Sequence, residues 1–172
     1  MAESGQLAND ISGLAGKYLT FRLQNEEYGL EILKVREIIG MMSITRIPRT
    51  PEFVRGVINL RGKVIPVIDL RKKFGMEDIA DTEETCIIVV DVKHGTDTLQ
   101  IGILVDSVSE VLDIKVDNIE GTPSFGTNLD TDFILGMAKA KGSVKILLNI
   151  ERVLSRSELT AVSGTLSEDE NK

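Results

Sequence analysis

The sequence predicts a mainly β protein: two similar barrel-like halves around a common core, followed by a C-terminal helix. Three observations carry this. Hydrophobic residues make up 42% of the 172, yet aromatics only 4%, with no Trp. Val, Ile and Leu must therefore fill the core, and the β-branched ones favour pleated sheets. Short apolar or alternating runs recur between clusters of turn residues. The chain also repeats its own pattern, a sign of duplicated architecture.

Taken in order, residues 1–16 are small, polar and unpatterned, and a mobile N-terminus is expected. Tyr18–Leu23 alternates and reads as a strand. Asn25-Glu26-Glu27 reads as a turn into a second strand, Tyr28–Ile32, completing a hairpin, and Val35–Ile39 continues the apolar pattern. Thr50-Pro51-Glu52 has the form of a helix start, with Thr as N-cap and Pro at the first helical position. One short turn is expected there, through Arg55 to a stop at Gly56. Val57–Leu60 and Lys63–Leu70 read as strands around Arg61-Gly62, with Pro66 marking an edge or a bulge. Cys86–Val92 and Leu99–Val105 form another hairpin, and Lys145–Ile150 another strand. Residues 151–162 contain good helix formers with apolar Val153, Leu154 and Leu159, and read as one amphipathic helix. The tail SGTLSEDENK, residues 163–172, is too polar to pack and is expected to be disordered.

The repeat can be written residue by residue. Tyr28-Gly29-Leu30 with Val35-Arg36-Glu37-Ile38 lies over Ile101-Gly102-Ile103 with Val108-Ser109-Glu110-Val111, 73 residues on. Phe53-Val54-Arg55-Gly56, Gly62, Val64 and Val67-Ile68-Asp69-Leu70 lie over Phe133-Ile134-Leu135-Gly136, Gly142, Val144 and Leu147-Leu148-Asn149-Ile150, 80 residues on. The second half therefore holds seven extra residues between Val111 and Phe133. Units of about 60 residues are marginal alone, so the halves are expected to share a core. Closing each sheet into a barrel would hide its edges. The division expected is a first barrel over about 17–83 and a second over about 84–150.

Catalysis finds little to work with. The one histidine, His94, falls in the polar turn 93–97, and the one cysteine, Cys86, opens an apolar run. There is no Cys/His cluster for zinc, no calcium loop, and no glycine-rich loop leading into a helix. No enzyme activity and no cofactor or metal are expected. No apolar run approaches the ~20 residues that cross a bilayer, and the N-terminus lacks a signal-peptide pattern. A cytoplasmic protein without direct membrane insertion is expected. Net charge is −7, but residues 34–73 hold ten Lys/Arg against three acids. Such a stretch can steer an acidic partner. A single-stranded nucleic-acid-binding barrel is the alternative. Against it stand a pI near 4.8 and a basic window with only Phe53 and Phe74 for base stacking. Protein binding remains.

The most informative stretch is Pro51-Glu52-Phe53-Val54-Arg55-Gly56-Val57-Ile58-Asn59-Leu60-Arg61-Gly62-Lys63-Val64-Ile65-Pro66-Val67-Ile68-Asp69-Leu70-Arg71. With Glu27 to Ile38 before it, it resembles the chemotaxis coupling proteins of the CheW family, and the resemblance runs from about Lys17 to Val162. It implies two five-stranded SH3-like β-barrels packed around a shared hydrophobic core. It also implies a scaffold that bridges the cytoplasmic tip of transmembrane chemoreceptors to the regulatory domain of the histidine kinase CheA, in arrays beneath the membrane. Carried over by motif position, the receptor groove takes Val35, Glu37, Ile38, Gly56, Arg61, Gly62 and Ile87. The kinase contacts take Phe125, in the Gly/Pro loop of the insertion, and Gly136. Arg61 and Glu37 are expected on neighbouring strands, facing one another.

Overall fold

The computed structural model describes residues 13–77, 80–121, 132–155 and 158–162. The predicted Phe125 contact lies outside them. The chain forms two sheets. One has six strands in the order β8-β1-β2-β11-β10-β9, from β1 (Gly16–Leu23), β2 (Glu26–Glu31), β8 (Ser107–Ile114), β9 (Ile119–Glu120), β10 (Ile134–Ala140) and β11 (Ser143–Leu148). The other has five in the order β3-β6-β7-β5-β4, from β3 (Val35–Gly40), β4 (Val54–Leu60), β5 (Lys63–Asp69), β6 (Cys86–His94) and β7 (Asp97–Val105). Two single-turn helices, α1 (Leu70–Lys73) and α2 (Ile150–Val153), follow β5 and β11.

The repeat is present, but its halves are not the sheets. Each sheet takes the opening hairpin of one repeat and the later strands of the other. The hairpin β1–β2 joins β8–β11, and the hairpin β6–β7 joins β3–β5. The joints are parallel pairs, β2 with β11 and β7 with β5. Parallel neighbours need a long crossover connection, so they cannot come from one hairpin. The expected division near residue 83 is accordingly replaced by an exchange.

The hydrophobic interior follows this plan. A central cluster joins Leu19, Phe21, Leu23 and Leu30 of one sheet to Ile68, Ile88, Val90 and Ile103 of the other. The five-stranded sheet has a core of its own, Ile58, Ile65, Val67, Ile87, Val89 and Leu104. The six-stranded sheet has another around Tyr18, Ile114, Ala138 and Leu147. Strand β6 is buried on both faces, which explains its unbroken Ile87–Val90 run. The few aromatics make a column: Phe21, Tyr28, Phe74 and Phe133 stack with centroids 5.1–6.0 Å apart.

Local chemistry corrects three expectations. Residues 51–53 form a turn, with Val54 N donating to Pro51 O at 3.0 Å, and Val54 and Arg55 are already in β4. Gly56 does not stop a helix. Its φ of 144° and a bulge in β4 let the Thr45 carbonyl approach so closely that any Cβ would overlap it. The C-terminal helix is broken. Leu154 is extended, with φ −105° and ψ 139°, and helix resumes at 158–162. Ser155 and Glu158 form a capping box at the restart, Ser155 N donating to Glu158 Oε1 at 2.7 Å and Glu158 N to Ser155 Oγ at 3.2 Å. The N-terminal stretch is also more attached than expected: Leu14 packs on the six-stranded sheet's core, and its carbonyl accepts from Tyr18 Oη at 2.6 Å.

Candidate functional site

Glu37 lies on β3 and Arg61 on the β4–β5 turn, at opposite edges of the five-stranded sheet. They are not on neighbouring strands, yet Arg61 Nη2 meets Glu37 Oε1. The sheet therefore curls until its edges touch. The turn that carries Arg61 has two left-handed residues, Arg61 at φ 53° and Gly62 at φ 87°, the mirror-type geometry whose twist suits a hairpin. Asn59 Oδ1 accepts from Gly62 N at 2.8 Å and fixes it. The Arg61 side chain stays 71% exposed, so the pair orients a guanidinium toward solvent. Beside it along the chain, Ile38 and Val64 are exposed at 45% and 41%.

The same constellation occurs on the other sheet. Lys141 (φ 52°) and Gly142 (φ 82°) make the β10–β11 turn, and Lys141 Nζ meets Glu110 Oε1 on β8 at 2.5 Å. Val111 and Val144, the repeat partners of Ile38 and Val64, are likewise exposed. The molecule thus carries two exposed aliphatic sheet ends, each marked by an ion pair of one sign order.

Among the carried-over residues, Glu37, Ile38, Arg61 and Gly62 come together at the first end. Val35 is half-buried and packs on the central core. Ile87 is wholly buried in the five-stranded sheet's own core and presents no surface. Gly56 is buried under Thr45, and Gly136 fills the matching place, where a Cβ would lie 3.0 Å from Glu120 O. Both glycines shape a bulge. One residue not carried over stands out instead: Leu33, in the 3-10 turn Ile32–Lys34 ahead of β3, is 93% exposed. A single apolar residue in a turn has no periodicity to flag it; only exposure does.

At the far end of β5 from the Arg61 turn lies a buried ionic cluster. Arg71 is 2% exposed and reaches Asp69 at 3.0 Å, Asp106 at 2.9 Å and Asp81 at 3.3 Å. Arg55 adds bonds to Asp69 and Asp81. Burial opposes the Arg71 charge, but the carboxylates, Asp69 first, hold its pKa above the ordinary value. Two guanidinium groups are shared among three carboxylates by direct bonds, so the cluster is a strut.

Nothing among the described residues builds a reaction centre. Among the described residues, no group of His, Cys, Asp or Glu could hold a metal ion. Burial pushes the Cys86 thiol up, only partly offset by a backbone hydrogen bond from Val108, which is the wrong direction for a nucleophile. No described helix is long and apolar enough to cross a membrane. Among the described residues, the exposed large apolar ones are all aliphatic or Met, so none of those offers an aromatic face for stacking bases.

Comparison with known proteins agrees with this picture. The CheW-like domain family matches residues 17–158. The chemotaxis protein CheW of Klebsiella aerogenes is 41% identical over 159 residues, covering 90% of this chain and 93% of that protein. CheW of Rhizobium meliloti is 34% identical, covering 90% and 97%. The crystal structure of the scaffolding protein TtCheW from Thermoanaerobacter tengcongensis superposes with a TM-score of 0.74 at 39% identity, covering 84% of this chain and 97% of that one.

Proposed function

The chain belongs to the CheW family, and on that premise we propose how its surfaces divide the work of coupling. It is a non-enzymatic scaffold that couples chemoreceptors to the kinase CheA in chemotaxis. The observation that supports a bridging mechanism is the doubled docking end: Ile38, Val64 and Glu37–Arg61 on one sheet, Val111, Val144 and Glu110–Lys141 on the other. A bridge needs two faces on one rigid body, and the shared core supplies the rigidity.

The first end, with Leu33 and Val35 beside it, takes the receptor tip: an amphipathic helix laid on an aliphatic surface, oriented by the Arg61 guanidinium. Gly56 and Gly62 serve it by shaping the strands that carry it. The second end takes the regulatory domain of CheA, with Phe125 as an anchoring aromatic in the adjoining insertion and Gly136 shaping the strand behind. Ile87 supports the receptor end from within the core. The protein works in the cytoplasm, held at receptor arrays through its partners and without entering the bilayer.

The test measures both partners on the same variants. Arg61→Glu abolishes binding to the receptor tip and spares the kinase domain; Lys141→Glu does the reverse. If each substitution weakens both partners alike, the assignment of one face to each is wrong.

A further inference from the structure

The two single-turn helices occupy equivalent places, 80 residues apart. Each is N-capped by the residue before it, Asp69 accepting from Arg71 N and Asn149 from Glu151 N. The residues so capped, Arg71 and Glu151, are repeat partners of opposite charge. Each reaches to the junction that leaves the opening hairpin of the other repeat. Arg71 meets Asp106 between β7 and β8, and Glu151 meets Lys34 between β2 and β3. The exchange between repeats is thus fastened twice by the same device, with its charges reversed.

The two fastenings differ in strength. Arg71 is buried and held by three carboxylates, and Asp106 also accepts from Gln24 N at 2.5 Å. Lys34 and Glu151 are 32% and 28% exposed, and among the described residues neither makes a second ion pair. Lys34 ends the 3-10 turn whose central residue is Leu33. A three-residue 3-10 turn has little stability of its own, so an external anchor decides how it sits.

We propose that Glu151 is a positioning residue for receptor docking. It fixes Lys34, and through Lys34 the turn that presents Leu33, so the closing helix of one repeat sets the docking surface of the other. This rests on the reading that the receptor helix docks against that turn. Past the extended Leu154 the chain reaches Glu158, which bonds Lys73 of α1 at 2.6 Å. The docking turn is in this way tied back to the helix that carries Arg71.

The experiment uses the full chain, the receptor cytoplasmic tip and the kinase regulatory domain as separate probes. Glu151→Lys weakens receptor-tip binding about tenfold, a usual scale for coupling through an intermediate residue. Kinase binding and the melting temperature stay near wild type, and backbone amides at 33–35 exchange faster. The swap of Lys34→Glu with Glu151→Lys recovers most of the affinity. Leu33→Ala is measured alongside. If Leu33→Ala binds the receptor normally, the docking reading of the turn fails. If Leu33→Ala is impaired while Glu151→Lys binds as wild type, the positioning role alone is overturned. A swap as weak as the single variants also overturns it, because the charges then meet the partner and not each other.

Discussion

Arg61 and Glu37 come from opposite edges of one sheet and still meet. Their contact was legible in the sequence, because both lie in long matching motifs; the route to it was not, since side-chain alternation says nothing about how far a sheet curls. An exposed pair contributes only about 0–1 kcal/mol to folding. Arg61→Glu is therefore expected to leave the melting temperature almost unchanged while removing receptor binding. Combined with Glu37→Arg in a double-mutant cycle on receptor-tip affinity, it yields a nonzero coupling energy; a coupling of zero would show that the pair does not act as a unit. Arg71 behaves in the opposite way. Removing its guanidinium leaves the buried Asp69 carboxylate with Arg55, at 3.4 Å, as its charged partner, and Arg71→Met costs about 3 kcal/mol in denaturant unfolding. Ile87 shows where residue-level reading ends: a strand buried on both faces has no alternation to separate lining from core.

Elements are legible in the sequence where a pattern runs long and are hidden where it is interrupted. The hairpins β1–β2 and β6–β7 and the turn at Arg61-Gly62 follow directly from alternation and turn residues. Residues 151–162 suggest one continuous helix through their good helix formers, although Val153, Leu154 and Leu159, one and five residues apart, do not line one helical face. Ser155 with Glu158 three residues on was the available sign of a restart. Burial acts against the Glu158 charge, but the Lys73 and Ser155 bonds hold its pKa below the usual value. A depressed carboxyl stabilises the fold above its unfolded pKa, and that contribution fades as pH falls through the folded value. The 158–162 turn is expected to fray as pH falls below the ordinary glutamate range, read from the Leu159 methyl signals by NMR. Lys73→Met moves the onset to higher pH. At the other end, deleting residues 1–12 leaves the melt unchanged, whereas deleting 1–14 lowers it by removing Leu14 from its core contact and leaving Tyr18 Oη without its carbonyl.

At the scale of the molecule, the repeat was visible because glycines at 56 and 136, and at 62 and 142, mark the same bulge and turn twice. The exchange between repeats was not visible. Periodicity tells which side chains are buried, not which strand lies alongside, and the parallel pairs β2–β11 and β5–β7 join residues far apart in sequence. Cutting the chain in the 78–83 region should give two fragments that are each largely unfolded by circular dichroism, since neither holds a complete sheet. Mixed in equal amounts, they should regain the native spectrum and receptor binding. A fragment that folds alone as a monomer would contradict the exchange.

An exchanged hairpin also says something about ancestry. A chain with only one repeat would have an opening hairpin and no sheet of its own in which to place it. A second identical chain could accept that hairpin and return its own, giving a two-fold dimer with two identical faces. Duplication within one gene would then free the faces to diverge, which would account for Arg71–Asp106 on one side and Lys34–Glu151 on the other. On this view, a protein that now joins two unlike partners descends from one that first joined itself.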